Sequence, residues 1–265
     1  MIAVMNHVLP LLIALAARES ALPVAGQWRG SSSTVILTNT ASRPARVTLS
    51  WITGAPRHLA PPNIELMLHG NETRAVEVGQ EILRGREAAG GLTIVADGDV
   101  VARAIIRGRP EGPGAAFDAV PLRDAIGTGE STTIAGVAGD GGYRLFAAET
   151  KGHPVHFSAV VVAGDEVRGE KRYYLEPLHQ LTIPIEREFR IASGEAFTLV
   201  MRAMNGSGRL VAAGAELTAS QDLVPFGMHL RSKPRRRINA AEIAAYGFVT
   251  VALVAAAFYA RKRPR

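Results

Sequence analysis

Thr34-Val-Ile-Leu-Thr-Asn-Thr-Ala-Ser-Arg-Pro44 and Arg144-Leu-Phe-Ala-Ala-Glu-Thr-Lys-Gly-His-Pro154 read as two copies of one segment, a domain length apart. Thr40 aligns with Thr150 and Pro44 with Pro154. An apolar stretch follows each, Val47-Thr-Leu-Ser-Trp51 in the first copy and Phe157-Ser-Ala-Val-Val161 in the second. Val47, Leu49 and Trp51 alternate with Thr48 and Ser50, the two-residue period of a strand with one face buried.

The correspondence continues outward from there. Leu68-His-Gly-Asn-Glu-Thr-Arg-Ala-Val76 pairs with Leu175-Glu-Pro-Leu-His-Gln-Leu-Thr-Ile183. Leu92-Thr-Ile-Val95 and Val100-Val101 pair with Phe197-Thr-Leu-Val200 and Leu210-Val211. Between them stand Asp97-Gly98-Asp99 in one copy, which predicts a tight hairpin turn, and Asn205-Gly-Ser-Gly208 in the other. Each copy closes on Val-Pro, Val120-Pro121 and Val224-Pro225. Self-similarity at a fixed period signals repeated units. No helical periodicity of useful length interrupts Gln27 to Met228, and turn residues recur about every ten positions, as in sandwiches. The expected fold is all-β: two tandem immunoglobulin-like β-sandwich domains, residues 26–122 and 142–229, joined by a Gly-, Ser- and Thr-rich linker, 123–141.

Leu37-Thr-Asn-Thr40, Val47-Thr-Leu49, Leu68-His-Gly-Asn-Glu-Thr73 and the segment from Ala119 to Ser131 leading to Gly141-Gly-Tyr-Arg144 carry a resemblance. The pattern resembles tandem Ig-like β-sandwich repeats of secreted and surface proteins from environmental Gram-negative bacteria. The resemblance spans roughly residues 27 to 228 and implies a sandwich fold with no catalytic residues to carry over. The second copy departs from it, with Glu149-Thr150 where the first has Asn39-Thr40.

The two ends differ from the middle. Residues 1–25 begin with an almost wholly apolar run, Met1 to Ala17, with Ala14-Leu15-Ala16 as a small-x-small site. It resembles a secretory signal without the usual leading Lys or Arg, and a retained N-terminal membrane segment is the competing reading. At the other end a basic juxtamembrane segment, 230–239, holds Arg231, Lys233, Arg235, Arg236 and Arg237. An apolar run, 240–260, follows, with Tyr246 and Tyr259 near its ends, and then a basic tail, 261–265. Roughly 20 apolar residues in a helix span a ~30 Å hydrocarbon core, and aromatic rings favour its boundaries. The run therefore reads as one C-terminal transmembrane helix. Ala240, Ala244 and Gly247 form a small-residue row against which a second helix could pack.

The formal charge of +6 does not indicate a nucleic-acid partner. Nine of the 30 Lys and Arg flank the C-terminal apolar run, and the 21 before residue 231 face 23 Asp and Glu. The basic character thus belongs to the flanks, where it suits anionic headgroups rather than a nucleic-acid surface. Cysteine is absent, which excludes disulfides, thiolate metal sites and cysteine nucleophiles.

Candidate chemistry is sparse. His153-Pro-Val-His156 has two imidazoles but no third ligand within sequence reach, so it reads as turn histidines. Asp97-Gly-Asp99 lacks the further oxygens of a calcium loop. Trp28 and Trp51 read as packing residues of the first sandwich. No catalytic, cofactor or metal residue and no small-molecule substrate is expected.

The leading functional expectation is a non-enzymatic, single-pass protein of the cytoplasmic membrane, with both sandwiches on the periplasmic side. Its partners would be the lipid bilayer and an integral membrane protein, with the chain serving as an accessory structural subunit of a respiratory or photosynthetic complex. The alternative is an adhesion or surface-binding module that recognises an envelope polymer or extracellular ligand.

Overall fold

The computed structural model describes residues 18–28, 30–54, 61–109, 112–219 and 222–232. They form an all-β fold with several sheets. The first half contains β1 (Arg18–Trp28), β2 (Ser31–Asn39), β3 (Ala45–Thr53), β4 (Ile64–Leu68), β5 (Thr73–Glu77), β6 (Ala88–Ala96), β7 (Val100–Arg107), β8 (Gly114–Asp118) and the short β9 (Val120–Pro121). The second contains β10 (Ser131–Val137), β11 (Gly142–Glu149), β12 (Val155–Ala163), β13 (Glu166–Leu175), β14 (Gln180–Pro184), β15 (Ala196–Gly206), β16 (Leu210–Leu217), β17 (Leu223–Gly227) and β18 (His229–Ser232).

The first half is one nine-stranded sheet that folds over where β1 passes to β2, with β4-β3-β6-β1 in one layer, β5-β2-β7-β8 in the other and β9 along β1. In the second half the strand order is β13-β12-β15-β10-β18 and β14-β11-β16-β17. Adding nine to every strand number of the first half gives the second. This is not the immunoglobulin order, in which the first strand lies beside the second along the sheet. Here β1 runs beside β6 and meets β2 only at Gln27 opposite Ser32 and Trp28 opposite Ser31. The β1–β6 register shifts between Leu22 and Ala25, where Pro23 has no N–H to give the ladder.

Asp97-Gly98-Asp99 is not a hairpin turn. The strands it joins do not pair, because β6 lies between β1 and β3 while β7 lies between β2 and β8. The turn is an arch from one layer to the other. The Asp97 carboxylate accepts the Arg46 N–H at 2.6 Å, and the Asp99 carbonyl accepts the Thr40 N–H at 2.8 Å. One side-chain carboxylate and one backbone carbonyl thus hold a turn whose geometry the Asp-Gly pair alone does not dictate.

Each half has its own core. Val47, Leu49 and Trp51 are buried in the first, where the Trp51 ring fills the space beside Gly90. Trp28 packs against the same cluster. In the second, the Tyr143 ring meets Phe197 edge-on at 4.9 Å and occupies the space that a Cβ on Gly214 would need.

Three strands do not alternate at all. β1 is buried from Ala21 to Gly26, β11 along its length except Arg144, and β16 from Leu210 to Ala215. A strand covered on both faces reads as a continuous apolar run. These strands form a seam between the sandwiches, where Phe146, Ala213 and Ala215 join the core of the first half. Phe146 meets Phe117 edge-on at 6.4 Å. A backbone bond crosses the seam too, from Thr53 N–H to the Leu178 carbonyl at 3.1 Å.

The expected boundaries shift accordingly. The first strand begins at Arg18, inside the stretch assigned to residues 1–25. The stretch 123–141, read as a linker, carries β10, whose Ile134 is wholly buried. Ser131-Thr-Thr-Ile-Ala-Gly-Val137 looks like a linker by its Ser, Thr and Gly content, yet Thr and Val suit a pleated, half-buried surface.

The expectation of a membrane-anchored protein is corrected. Among the described residues no helix is long and apolar enough to cross a membrane. The α-helix there, α1 (Ile185–Phe189), has five residues and rises about 8 Å against a ~30 Å hydrocarbon core. The run 240–260 on which the anchor rested lies outside the described residues. A transmembrane helix, a bilayer or integral-membrane partner, single-pass localisation in the cytoplasmic membrane and an accessory-subunit role are therefore not carried forward.

Candidate functional site

Of the residues expected to contact a membrane or partner, Arg231 lies in β18, whose backbone pairs with β10 at Ser131 opposite Ser232 and Thr133 opposite His229. Lys233, Arg235, Arg236, Arg237, Ala240, Ala244, Tyr246, Gly247 and Tyr259 lie outside the described residues. Among the described residues no group of three or more His, Asp or Glu is placed to hold an ion.

Two concavities border the seam. One, of about 620 Å³, is walled by Phe117, Ala213, Pro225 and Met228 with Asp118 and Asp124 at its rim. The other is a broad groove of about 1060 Å³ rich in charge. Its cations are largely committed: Arg18 pairs with Asp99 at 2.5 Å, Lys151 with Glu19 at 2.5 Å, and the Arg209 guanidinium donates to the Ala125 carbonyl at 2.8 Å. The Lys151–Glu19 pair and the Arg209 bond span the seam, so these groups tie the sandwiches together.

A different surface keeps its charges uncommitted. In β12, Val155, Phe157, Ala159 and Val161 face the core, so His156, Ser158, Val160 and Val162 face outward. Ser158 stands opposite Arg172 on β13 and opposite Arg202 on β15, which in turn stands opposite Ser131 on β10. A row Arg172–Ser158–Arg202–Ser131 thus crosses the open face of the five-stranded sheet. Both arginines are exposed, and Ser158 between them is buried. Among the described residues neither guanidinium makes an ion pair. The neighbouring cations on the same hairpin are paired, Arg168 with Glu195 at 2.7 Å and Lys171 with Glu188 at 2.5 Å. The Ala192 N–H and then Arg168 hold the Glu195 carboxyl below the usual carboxylate range.

An aromatic pair borders the row. Tyr174 lies opposite His156, their ring centroids 4.8 Å apart, and half of the Tyr174 surface is exposed. On the core side of the same strands Phe157 stacks on Tyr173 at 5.2 Å. Burial and then Glu188 push the Tyr173 hydroxyl up to about 12. The two tyrosines are neighbours with opposite fates, one a core ring and the other a surface ring held upright by a histidine. A surface tyrosine offers an apolar body with a polar tip, and a free guanidinium offers a planar fork for oxyanions.

The sequence reading missed Arg172, Arg202 and Tyr174. Alternation in β12 was visible, but which residues of β13 and β15 stand beside Ser158 depends on register. That register is displaced by irregularities between Val161 and Val162 and between His156 and Phe157.

Comparisons of the chain with protein-family models, curated proteins and solved structures find no match. The functional reading therefore rests on the surface itself.

Proposed function

We propose that the chain is a non-enzymatic surface-binding module that recognises an extended envelope polymer through the open face of the five-stranded sheet in the second sandwich. The observation that carries this reading is the row Arg172–Ser158–Arg202, uncommitted to any ion pair among the described residues and bordered by the half-exposed Tyr174. An exposed sheet face suits a chain laid across it better than a small molecule, which favours a concave pocket. The committed charges of the seam groove leave that concavity a structural role.

Electrophoresis of the full chain through gels containing dissolved envelope polysaccharides tests the reading. Retardation by at least one polymer is expected, and Tyr174→Ala weakens it by up to about tenfold through loss of ring contact. The substitution is on the surface, so the melting temperature stays within the shift expected for about 0.5 kcal/mol. Full retardation of Tyr174→Ala, or no retardation of the wild type by any polymer, overturns the assignment.

A further inference from the structure

We infer that the polymer taken by this face is an acidic polysaccharide in which charged and neutral sugars alternate. The inference rests on the binding reading above and adds the charge and its spacing. Arg172 and Arg202 are separated by one strand, so their backbones lie about 10 Å apart, twice the inter-strand distance. A guanidinium binds a carboxylate or sulfate through two parallel N–H donors, so two of them mark two oxyanions with a gap between.

The adjoining row opposes dense charge. Val160 stands opposite Glu170 on one side and Val200 on the other. A polymer with an anion on every residue would bring one toward the exposed Glu170 carboxylate, whereas one with neutral sugars between its acids would not. The exposed Tyr174 ring supplies the apolar plane on which a neutral pyranose face rests. A nucleic acid fits poorly, because the row offers two free cations beside an acid, and the chain before residue 231 carries more acidic than basic residues.

The first sandwich contains its own contrast. The topologically equivalent row reads Glu65–Thr48–Val95–Glu19, with Thr48 opposite both Glu65 and Val95, and Val95 opposite Glu19. The same place in the same architecture thus carries two acids in one half and two arginines in the other. Sandwich geometry alone does not require cations there.

The probes are hyaluronan, whose disaccharide carries one carboxylate, neutral dextran, densely charged dextran sulfate and single-stranded DNA. The full chain is compared with Arg172→Glu/Arg202→Val, which places at these two positions the residue types that the first sandwich has there, and with the milder Arg172→Ala/Arg202→Ala. Hyaluronan is expected to retard the wild type, with added salt weakening retention. The first double variant should lose tenfold or more in affinity and the second somewhat less, both with unchanged circular dichroism. Retention by dextran that Tyr174→Ala weakens but neither double variant alters leaves the face as a binding surface and overturns the acidic ligand. Tighter retention by dextran sulfate or by single-stranded DNA than by hyaluronan also overturns it, showing unspecific attraction of polyanions. Retention by none of these polymers overturns it as well; the binding reading falls only if the wider panel of envelope polysaccharides also fails.

Discussion

Asn39 and Glu149 end the second strand of the first and second sandwich respectively, and both are wholly buried. Their chemistry is opposite. The Asn39 amide donates to the carbonyls of Arg43 at 2.8 Å and His69 at 2.9 Å, with that of Leu68 at 3.4 Å, and its oxygen accepts the Ala41 N–H at 3.1 Å. The Glu149 carboxylate only accepts, from the backbone N–H groups of Lys151, Gly152, Leu178 and Arg209 at 2.7 to 3.1 Å. In each half one side chain gathers the loop after its own strand together with the link between the fourth and fifth strands. The first set of loops presents mainly carbonyls inward and the second presents N–H groups. What the two halves share is a buried point where loop backbone must be satisfied, and the residue type follows the polarity of the backbone groups that arrive there.

The largest effect should come from breaking the Glu149 side. Glu149→Ala leaves four backbone N–H groups without their acceptor and should cost about 3–5 kcal/mol in urea unfolding. A loss below 1 kcal/mol would show that water replaces the carboxylate and that the corner is not closed.

Asn39→Ala should cost less, about 2 kcal/mol, because a neutral amide makes weaker hydrogen bonds to its four backbone partners than a carboxylate makes to its own four. The ratio of the two losses, from denaturation curves of equal slope, measures how much more the second corner depends on its charge. Equal losses would erase the distinction drawn here.

The smallest effect tests another difference between the halves. Val47 stands opposite Leu66 in the first sandwich, and at the equivalent place Phe157 stands opposite Tyr173. The Tyr173 hydroxyl is buried without a hydrogen-bond partner among the described residues. Tyr173→Phe should therefore change stability at pH 7 by less than about 0.5 kcal/mol. Its signature is alkaline. Folding raises this phenol from its usual value near 10 to about 12, so the neutral form belongs to the folded state. The stability associated with it is fully present below pH 10 and is lost as pH rises from 10 toward 12. Tyr173→Phe should flatten that decline in a pH series of melting curves, and an unchanged slope would place the phenol in solvent.

Individual strands were legible where one face meets a core and the other meets water. Val47, Leu49 and Trp51 are buried while Thr48 and Ser50 remain partly exposed, so their alternation records a local fact. Legibility failed where a second sandwich covers the outer face. Phe146 and Ala148 on β11, and Ala213 and Ala215 on β16, are buried by residues far away in sequence, and their runs lose the period that marks a half-covered strand. It failed again at Asp97-Gly98-Asp99, since a short polar turn looks the same whether the chain returns along its neighbour or crosses to the opposite layer. The membrane reading was drawn from residues outside those described. The arginine row was hidden for a geometric reason: Arg172, Ser158 and Arg202 come together only through two registers, each with an irregularity.

The seam has a consequence for how such a chain can evolve. Two sandwiches joined like beads could be copied, shuffled into other proteins or repeated a third time, because each would carry a finished surface. Here Phe146, Ala213 and Ala215 complete the first sandwich's core, and Ala21, Ile52, Leu122 and Ala125 cover Ala148 and Val211 in return. Either half alone would expose the apolar wall that the other now covers. The two halves are thus two sides of one object, and a recombination that kept the wall covered would move them as a pair.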